Sequence, residues 1–230
     1  MNKIYEKIDD FFDTTADYTD LTFSDLSIRP LLFREAKKYI SSHHYSKTMP
    51  MGVKIALGFF YNRELVTAVV YGAPVGRRVT SWLKCDNTNC LELVRLFSED
   101  GMPKNTESYC LGKSFEYLKR EYPAYKYLIS YADPNAGHAG IIYQATNWYY
   151  TGTQRRLLPE RRIFIDGIET HTRTLNIKHG STSGDNLLQI YGNRLEIRDA
   201  KKKHVYLMCL GNKREKKEWY AKFNQEPYPK

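Results

Sequence analysis

Apolar positions recur along the chain with two periods, and each period predicts its own kind of element. Ile4, Ile8, Phe11 and Phe12 fall at helical spacing and predict a helix. The chain then turns acidic and irregular through Asp13, Asp17, Asp20 and Asp25. A second helix is expected from about Ser27 and Pro30, since proline suits a first turn. Leu32, Ala36, Tyr39 and Ile40 give it one apolar face, and it should stop before Ser41. Lys54–Tyr61 and Glu64–Gly72 read as two strands turned by Asn62-Arg63, a hairpin pattern. Alternation over Cys90–Phe97 predicts a third strand. Asn105 or Thr106 caps a helix bearing Leu111, Phe115, Leu118 and Tyr122, which ends at Pro123. Tyr127–Ala132 reads as a buried strand. It leads into Asp133–His138 and a helix with Ile141, Ile142, Ala145 and Trp148. Strands near Trp148–Thr153 and Arg162–Asp166 follow.

Past Gly167 the pattern changes. Short strands are expected at Leu187–Ile190, Leu195–Ile197 and Val205–Leu210, a helix over Arg214–Lys222, and an extended arm at Pro227 and Pro229. The expected fold class is α/β (α+β): a mixed sheet flanked by helices, with antiparallel beginnings and βα crossovers later. Its parts are an N-terminal helical segment (1–42), a core (43–166) and a basic, β-rich extension (167–230).

Charge sharpens this division. Of the net +9, residues 1–150 supply +1 and residues 151–230 supply +8. A basic region joined to a near-neutral one points to a polyanion, nucleic acid first, although a solvated basic surface has the same composition. Hydrophobic residues at 42% exclude wholesale disorder. No apolar run approaches the roughly 18 residues that span a bilayer. The first residues lack the apolar stretch of a signal peptide, so the expected setting is the cytoplasm, with no membrane partner. Cys85, Cys90, Cys110 and Cys209 are too scattered for a disulfide framework. Cys85 and Cys90 alone cannot complete a structural zinc site, so they flank a turn.

Five motifs carry a resemblance. They are His43-His44-Tyr45-Ser46, Glu92-Leu93-Val94-Arg95-Leu96, Pro103–Ser108, Ile129–Asp133 and Gly137–Trp148. In this order and spacing they resemble the Mom family of phage and prophage DNA-modification proteins, and the order of elements resembles the GNAT-like acyltransferase superfamily. The tail, with His171–Leu175 and the closing Pro-Tyr-Pro-Lys, is similar to that of phage-encoded members. The resemblance implies an enzyme that converts adenine in DNA to an N6-carbamoylmethyl derivative and so shields phage DNA from restriction. Its partner would be double-stranded DNA. Two rival readings remain: an acyl-CoA-dependent N-acetyltransferase acting on a protein or small amine, and a nucleic-acid-binding module without catalysis.

Adenine N6 is a poor nucleophile because its lone pair is delocalised into the ring. Its use requires a base for its proton or donors for the departing charge. The resemblance places His44 and Tyr45 in those roles, whereas His43 reads as a helix C-terminal charge. Asp133, at the C-terminal end of a strand, is the catalytic carboxylate by resemblance; by pattern alone it reads as an Asx turn. The resemblance also leaves room for iron on Asp133 with His44 or Tyr45. Arg95 is a catalytic and donor-binding candidate, able to grip a carboxylate or phosphate. Glu92 lies three residues away on the same strand and faces the other side unless a bulge intervenes. Asn105 and Ser108 sit at a helix N-terminus, an anion site, although capping accounts equally for Asn105.

The donor is the open point. Ser98–Asn105 holds one glycine, two acids and a proline, where acyl-CoA enzymes carry a glycine-rich pyrophosphate loop. Both acetyl-CoA and an activated glycine such as glycyl-tRNA are therefore candidates, the second bringing tRNA in as a partner. A duplex base must be extruded to react. His138, Tyr143 and Trp148 are candidates to line its pocket, the last two being equally apt as core. Arg173, Lys178, Arg198, Lys201, Lys202 and Lys203 are the candidate DNA contacts, spread as phosphate contacts are.

Overall fold

The computed structural model describes residue 18 and residues 20–230, apart from 44–47, 77, 155–160 and 171. The helix expected over Ile4–Phe12 lies outside these, as do His44 and Tyr45. The chain divides into two compact units, Met1–Leu128 and Ile129–Lys230.

The first unit is built on an antiparallel meander: β1 (Ser27–Pro30), β2 (Val53–Tyr61), β3 (Glu64–Gly72) and β4 (Cys90–Ser98). The expected hairpin is present. Asn62 and Arg63 both take positive φ, at 47° and 73°, which matches a two-residue turn to the twist of its strands. Helix α1 (Phe33–His43) packs Ala36, Tyr39 and Ile40 against Ala56, Ala68 and Val70. After the short α2 (Val79–Leu83) and β4, the long α3 (Thr106–Glu121) packs on β3, where the Tyr71 hydroxyl meets Ser114 Oγ at 2.6 Å. Helices thus contact both faces of β3, and its residues from Val66 to Gly72 are all buried. Such a strand reads as a continuous apolar run rather than an alternating one.

One expectation fails here. Ser27–Pro30 is a strand and not a helical first turn, because it pairs with β2 from Ser27↔Phe60 to Pro30↔Leu57. Proline is tolerated there because β1 ends the strand order and its missing N–H faces no further neighbour. The helix starts at Phe33 instead, with Glu35 Oε2 accepting the Leu32 amide at 2.7 Å, and Leu32 is 58% exposed.

The second unit opens with β5 (Tyr127–Ala132), whose first two residues belong to the first unit. It continues through α4 (Ile141–Ala145) and β6 (Tyr149–Thr153). Then comes a small sheet of β7 (Arg161–Ile165), β8 (Ile168–Glu169) and β9 (Leu195–Asp199) in the order β8-β7-β9. Helices α5 (Thr172–His179) and α6 (Gly184–Tyr191) complete it, with Ile163, Leu175 and Leu187 as its core. Leu187–Ile190, expected as a strand, is part of α6. Leu187 and Tyr191 point inward one helical turn apart, while Leu188 and Ile190 stay exposed. Strand β10 (His204–Cys209) returns to pair antiparallel with β6, and α7 (Lys213–Tyr220) packs beside it. The expected class, a mixed sheet flanked by helices, is the one observed; seven strands run in the order β1-β2-β3-β4-β5-β10-β6. Among the described residues no helix is long and apolar enough to cross a membrane.

Candidate active site

Asp133 caps the short turn after β5. Its Oδ1 accepts the backbone amide of Asn135 at 2.9 Å and that residue's side-chain amide at 2.8 Å. Its Oδ2 lies 3.2 Å from Lys203 Nζ. Partial burial pushes its pKa up, but the Asn135 bonds and the Lys203 charge outweigh this and hold the carboxyl below its usual range. Asp133 is therefore an Asx turn and a persistent anion at once. Asn135 reaches further: its Nδ2 donates to the Lys201 carbonyl and its Oδ1 accepts the Lys201 amide, both at 2.9 Å. The sequence reading passed over Asn135, and its signal was the Asp-Pro-Asn spacing already read as a turn.

Trp148 is fully buried and meets Tyr143 edge-on at 5.2 Å, so it packs the interior instead of facing a base. Tyr143 is partly buried; it accepts a bond from Ser130 Oγ at 2.8 Å and lies 4.8 Å from the Tyr206 ring. His138 is exposed, its amide bonded to the Asp133 carbonyl at 3.0 Å. Gly140, with φ of 82°, lets α4 begin against Tyr206; a Cβ there would fall 2.5 Å from that ring. Tyr150 and His204 join the cluster through a 2.7 Å bond from the Tyr150 hydroxyl to Nδ1. The C-terminal arm closes over it, where the Tyr228 hydroxyl donates to the Trp148 carbonyl at 2.6 Å. Tyr150, Tyr206 and Tyr228 were not singled out from sequence, because isolated aromatic positions carry no period; His204 reads from sequence only as part of the tail's basic charge.

In the first unit a bulge changes the reading of β4. Gly72, Tyr71 and Val70 oppose Glu92, Leu93 and Arg95, so β4 advances by two at Val94 while β3 advances by one. Residues opposite one another share a face, as do Gly72 and Val70, so the bulge brings Glu92 and Arg95 to one side. That side is the one α1 covers, since Val70 packs against α1. Arg95 donates from Nε to the Thr48 carbonyl at 3.0 Å and from Nη2 to its hydroxyl at 3.3 Å, tying β4 to the segment that leaves α1. Glu92 Oε2 accepts the Val75 amide at 2.9 Å.

His43 ends α1, as its helix-terminal reading required. Its Nδ1 is 2.9 Å from the Tyr39 carbonyl and Nε2 is 3.9 Å from Glu99. Asn105 precedes α3 with φ of 72° and makes no side-chain cap bond. The Ser108 hydroxyl donates to the Asn105 carbonyl at 3.0 Å, and Thr106 to that of Pro103 at 2.6 Å. Both hydroxyls thus turn onto their own backbone.

The basic candidates separate by partner. On the small sheet Arg162 pairs with Glu169, Arg194 with Asp166, and Arg198 bidentately with Glu196 at 2.6 and 2.8 Å. Arg162 and Arg198 also lie over the Phe164 ring, at 5.1 and 4.3 Å from its centroid. Each pair raises the arginine pKa and lowers that of its carboxylate. Lys178 is exposed at the end of α5, 6.0 Å from the Tyr191 ring. Arg173 lies on α5. Lys201 and Lys202 are exposed, whereas Lys203 is partly buried beside Asp133.

Of the expected iron ligands, His44 and Tyr45 lie outside the described residues. Among the described residues no three His, Cys, Asp or Glu gather, and Asp133 already holds Asn135 and the Lys203 ammonium, which a cation would have to displace. Ahead of α3, Glu99 and Asp100 carry negative charge, and the Thr106 and Ser108 hydroxyls are taken.

A model of the Mom protein family matches residues 25–230. A methylcarbamoylase Mom from Escherichia phage Mu is 31% identical over 201 residues, which is 85% of this chain and 80% of that protein. Among solved structures, an N-acetyltransferase from Staphylococcus aureus Mu50 matches with a TM-score of 0.43 and 14% identity, over 81% of this chain and 99% of that one. The ribosomal-protein-S18-alanine N-acetyltransferase of Escherichia coli matches with a TM-score of 0.45 and 8% identity, over 81% of this chain and 95% of that one.

Proposed function

The chain belongs to the Mom protein family, and from that premise we propose that it is a transferase converting adenine in DNA to its N6-carbamoylmethyl derivative. The observation that carries this reading is the 31% identity to a methylcarbamoylase across 80% of that protein's length. The product would protect phage DNA from restriction in the host cytoplasm. His44 and Tyr45, in the family motif, handle the proton of the adenine amine. Asp133 stays ionised and fixes the end of β5; a carboxyl held below its usual range is a weak proton acceptor near neutrality. Arg95 supplies the positive charge that orients the donor, held by Thr48 three residues after Tyr45. His138 and Tyr143 border the base.

An activated glycine, such as a glycyl-tRNA, accounts for every added atom. Adenine N6 attacks the glycyl carbonyl, and the tRNA hydroxyl leaves, giving a glycyl amide. The glycine amine then attacks adenine C6 and expels the original nitrogen, which becomes the terminal amide. Nothing is oxidised, and the second step is an isomerisation. The acids and the turned-in hydroxyls at the start of α3 favour this donor over acetyl-CoA.

Nucleoside mass spectrometry on DNA from expressing cells tests the reaction. A deoxyadenosine heavier by the carbamoylmethyl increment is expected; unaltered nucleosides with well-expressed protein overturn it. Glycine labelled at nitrogen should place the label on the ring-attached nitrogen, and label confined to the terminal amide rules out this donor route.

A further inference from the structure

The basic residues after β6 are not equivalent, and their partners separate them. Arg162, Arg194 and Arg198 are each committed to a neighbouring carboxylate on the small sheet. Lys201 and Lys202 expose their ammonium groups, and among the described residues neither forms a salt bridge. The loop that carries them is nonetheless fixed at three points. Asn135 pairs with both the amide and the carbonyl of Lys201, as a neighbouring strand would. Lys203 is tied by its side chain to Asp133 and by its carbonyl to the Gln154 amide, at 3.2 and 2.9 Å. Two long cationic side chains thus project from an anchored backbone. That arrangement lowers the ordering cost of holding them against a repeating anion. It also accounts for a partly buried amide whose nitrogen and oxygen both bond the backbone of Lys201, 66 residues away.

We infer that Lys201 and Lys202 grip the phosphodiester backbone of duplex DNA, and that Asn135, braced by Asp133, is the positioning residue that shapes this grip. The inference rests on the DNA reading above and specifies where the duplex is held. Arg162, Arg194 and Arg198, neutralised in place, contribute shape and little charge.

The test measures duplex binding by the full chain over a range of salt concentrations. Replacing both exposed lysines (K201Q with K202Q) should lower the log–log slope by about 1.8, since each phosphate contact contributes about 0.9. Both side chains are exposed, so a thermal melt should be unchanged. Asn135→Ala should weaken binding about tenfold at moderate salt. In the K201Q/K202Q background it should add nothing, because its effect passes through those lysines. If the wild type binds duplex and the double-lysine variant keeps its slope, the grip lies elsewhere and the DNA reading stands. Additive losses from Asn135→Ala would reduce that residue to a structural tie. A slope change seen with tRNA and absent with duplex overturns the assignment to DNA. A wild type that binds no duplex overturns this inference together with the DNA reading.

Discussion

The two units are held together by different chemistry. In Met1–Leu128 the packing is mainly aliphatic: Leu57, Val69, Val70, Leu91, Leu111 and Leu118 are fully buried, with Thr67, Tyr71 and Ser114 as scattered buried hydroxyls among them. Ile129–Lys230 also buries aliphatic residues, among them Ile129, Leu187 and Leu207, but beside them it gathers a tyrosine cluster whose hydroxyls do structural duty. Tyr143, Tyr150, Tyr206, Tyr220 and Tyr228 each hold a hydrogen bond to a side chain or a backbone group. Burial pushes the Tyr206 and Tyr220 phenols up to about 12, so they remain neutral donors at any ordinary pH. Aliphatic packing excludes water without direction, whereas a cluster of hydrogen-bonded tyrosines also fixes which strand, turn and terminal arm meet. The second unit has more to fix, since a small sheet departs between β6 and β10 and the chain must return.

The comparison can be broken at several points. The largest effect should come from Leu57→Ala, which opens a cavity in the first unit and should cost about 3 kcal/mol by denaturant titration. A loss below about 1 kcal/mol would mean that this interior is loosely packed. Gly140→Ala should cost about 2 kcal/mol in the second unit, because its Cβ meets a ring wedged against Tyr143 and Tyr150. Hydrogen exchange should then show the faster amides in Ile129–Lys230. Exchange raised equally in β2 and β3 would refute separate interiors.

Acidification should sharpen the contrast. Partial burial holds the His204 imidazole below its ordinary value, so protonation opposes folding. Its stabilising effect is complete above that value and is lost as pH falls through the lowered one. The Asp133 carboxyl is also held low, so the Lys203 pair persists above the usual carboxylate range and fails only in stronger acid. The second unit should therefore lose amide protection first on titration from pH 7 to 4, through His204, and the Asp133 effect should follow only in stronger acid. The smallest effect belongs to Arg198→Gln. With Glu196 already neutralising this arginine, the salt dependence of duplex binding should stay within about 0.3 of the wild-type slope. A fall of a full phosphate contact would show that the pair opens on binding.

Much of the fold was legible where a local rule dominates. The β2–β3 hairpin follows from two apolar runs about a two-residue turn, and α3 from Leu111, Phe115 and Leu118 on one face. Elements with weaker local signals needed neighbours. Ser27–Pro30 carries a helix-start proline, yet pairing with β2 made it a strand. Leu187–Ile190 is apolar enough for a strand, yet the core offered by Ile163 and Leu175 selects Leu187 and Tyr191 at helical spacing.

The same division runs through the candidate site. The motif residues, the basic excess past residue 150 and the two acids and proline of Ser98–Asn105 are properties of single positions and of composition, and the sequence by itself determined them. Tertiary structure alone decided that Glu92 and Arg95 share a face, because one extra residue at Val94 reverses the alternation downstream. It alone decided that Trp148 is interior, and that Arg198 is spent on Glu196 while Lys201 and Lys202 remain exposed. The physical reason is common to all three. A side chain's charge and shape are intrinsic, but its partner is set by whichever distant segment packing brings within about 3 Å, the reach of a hydrogen bond.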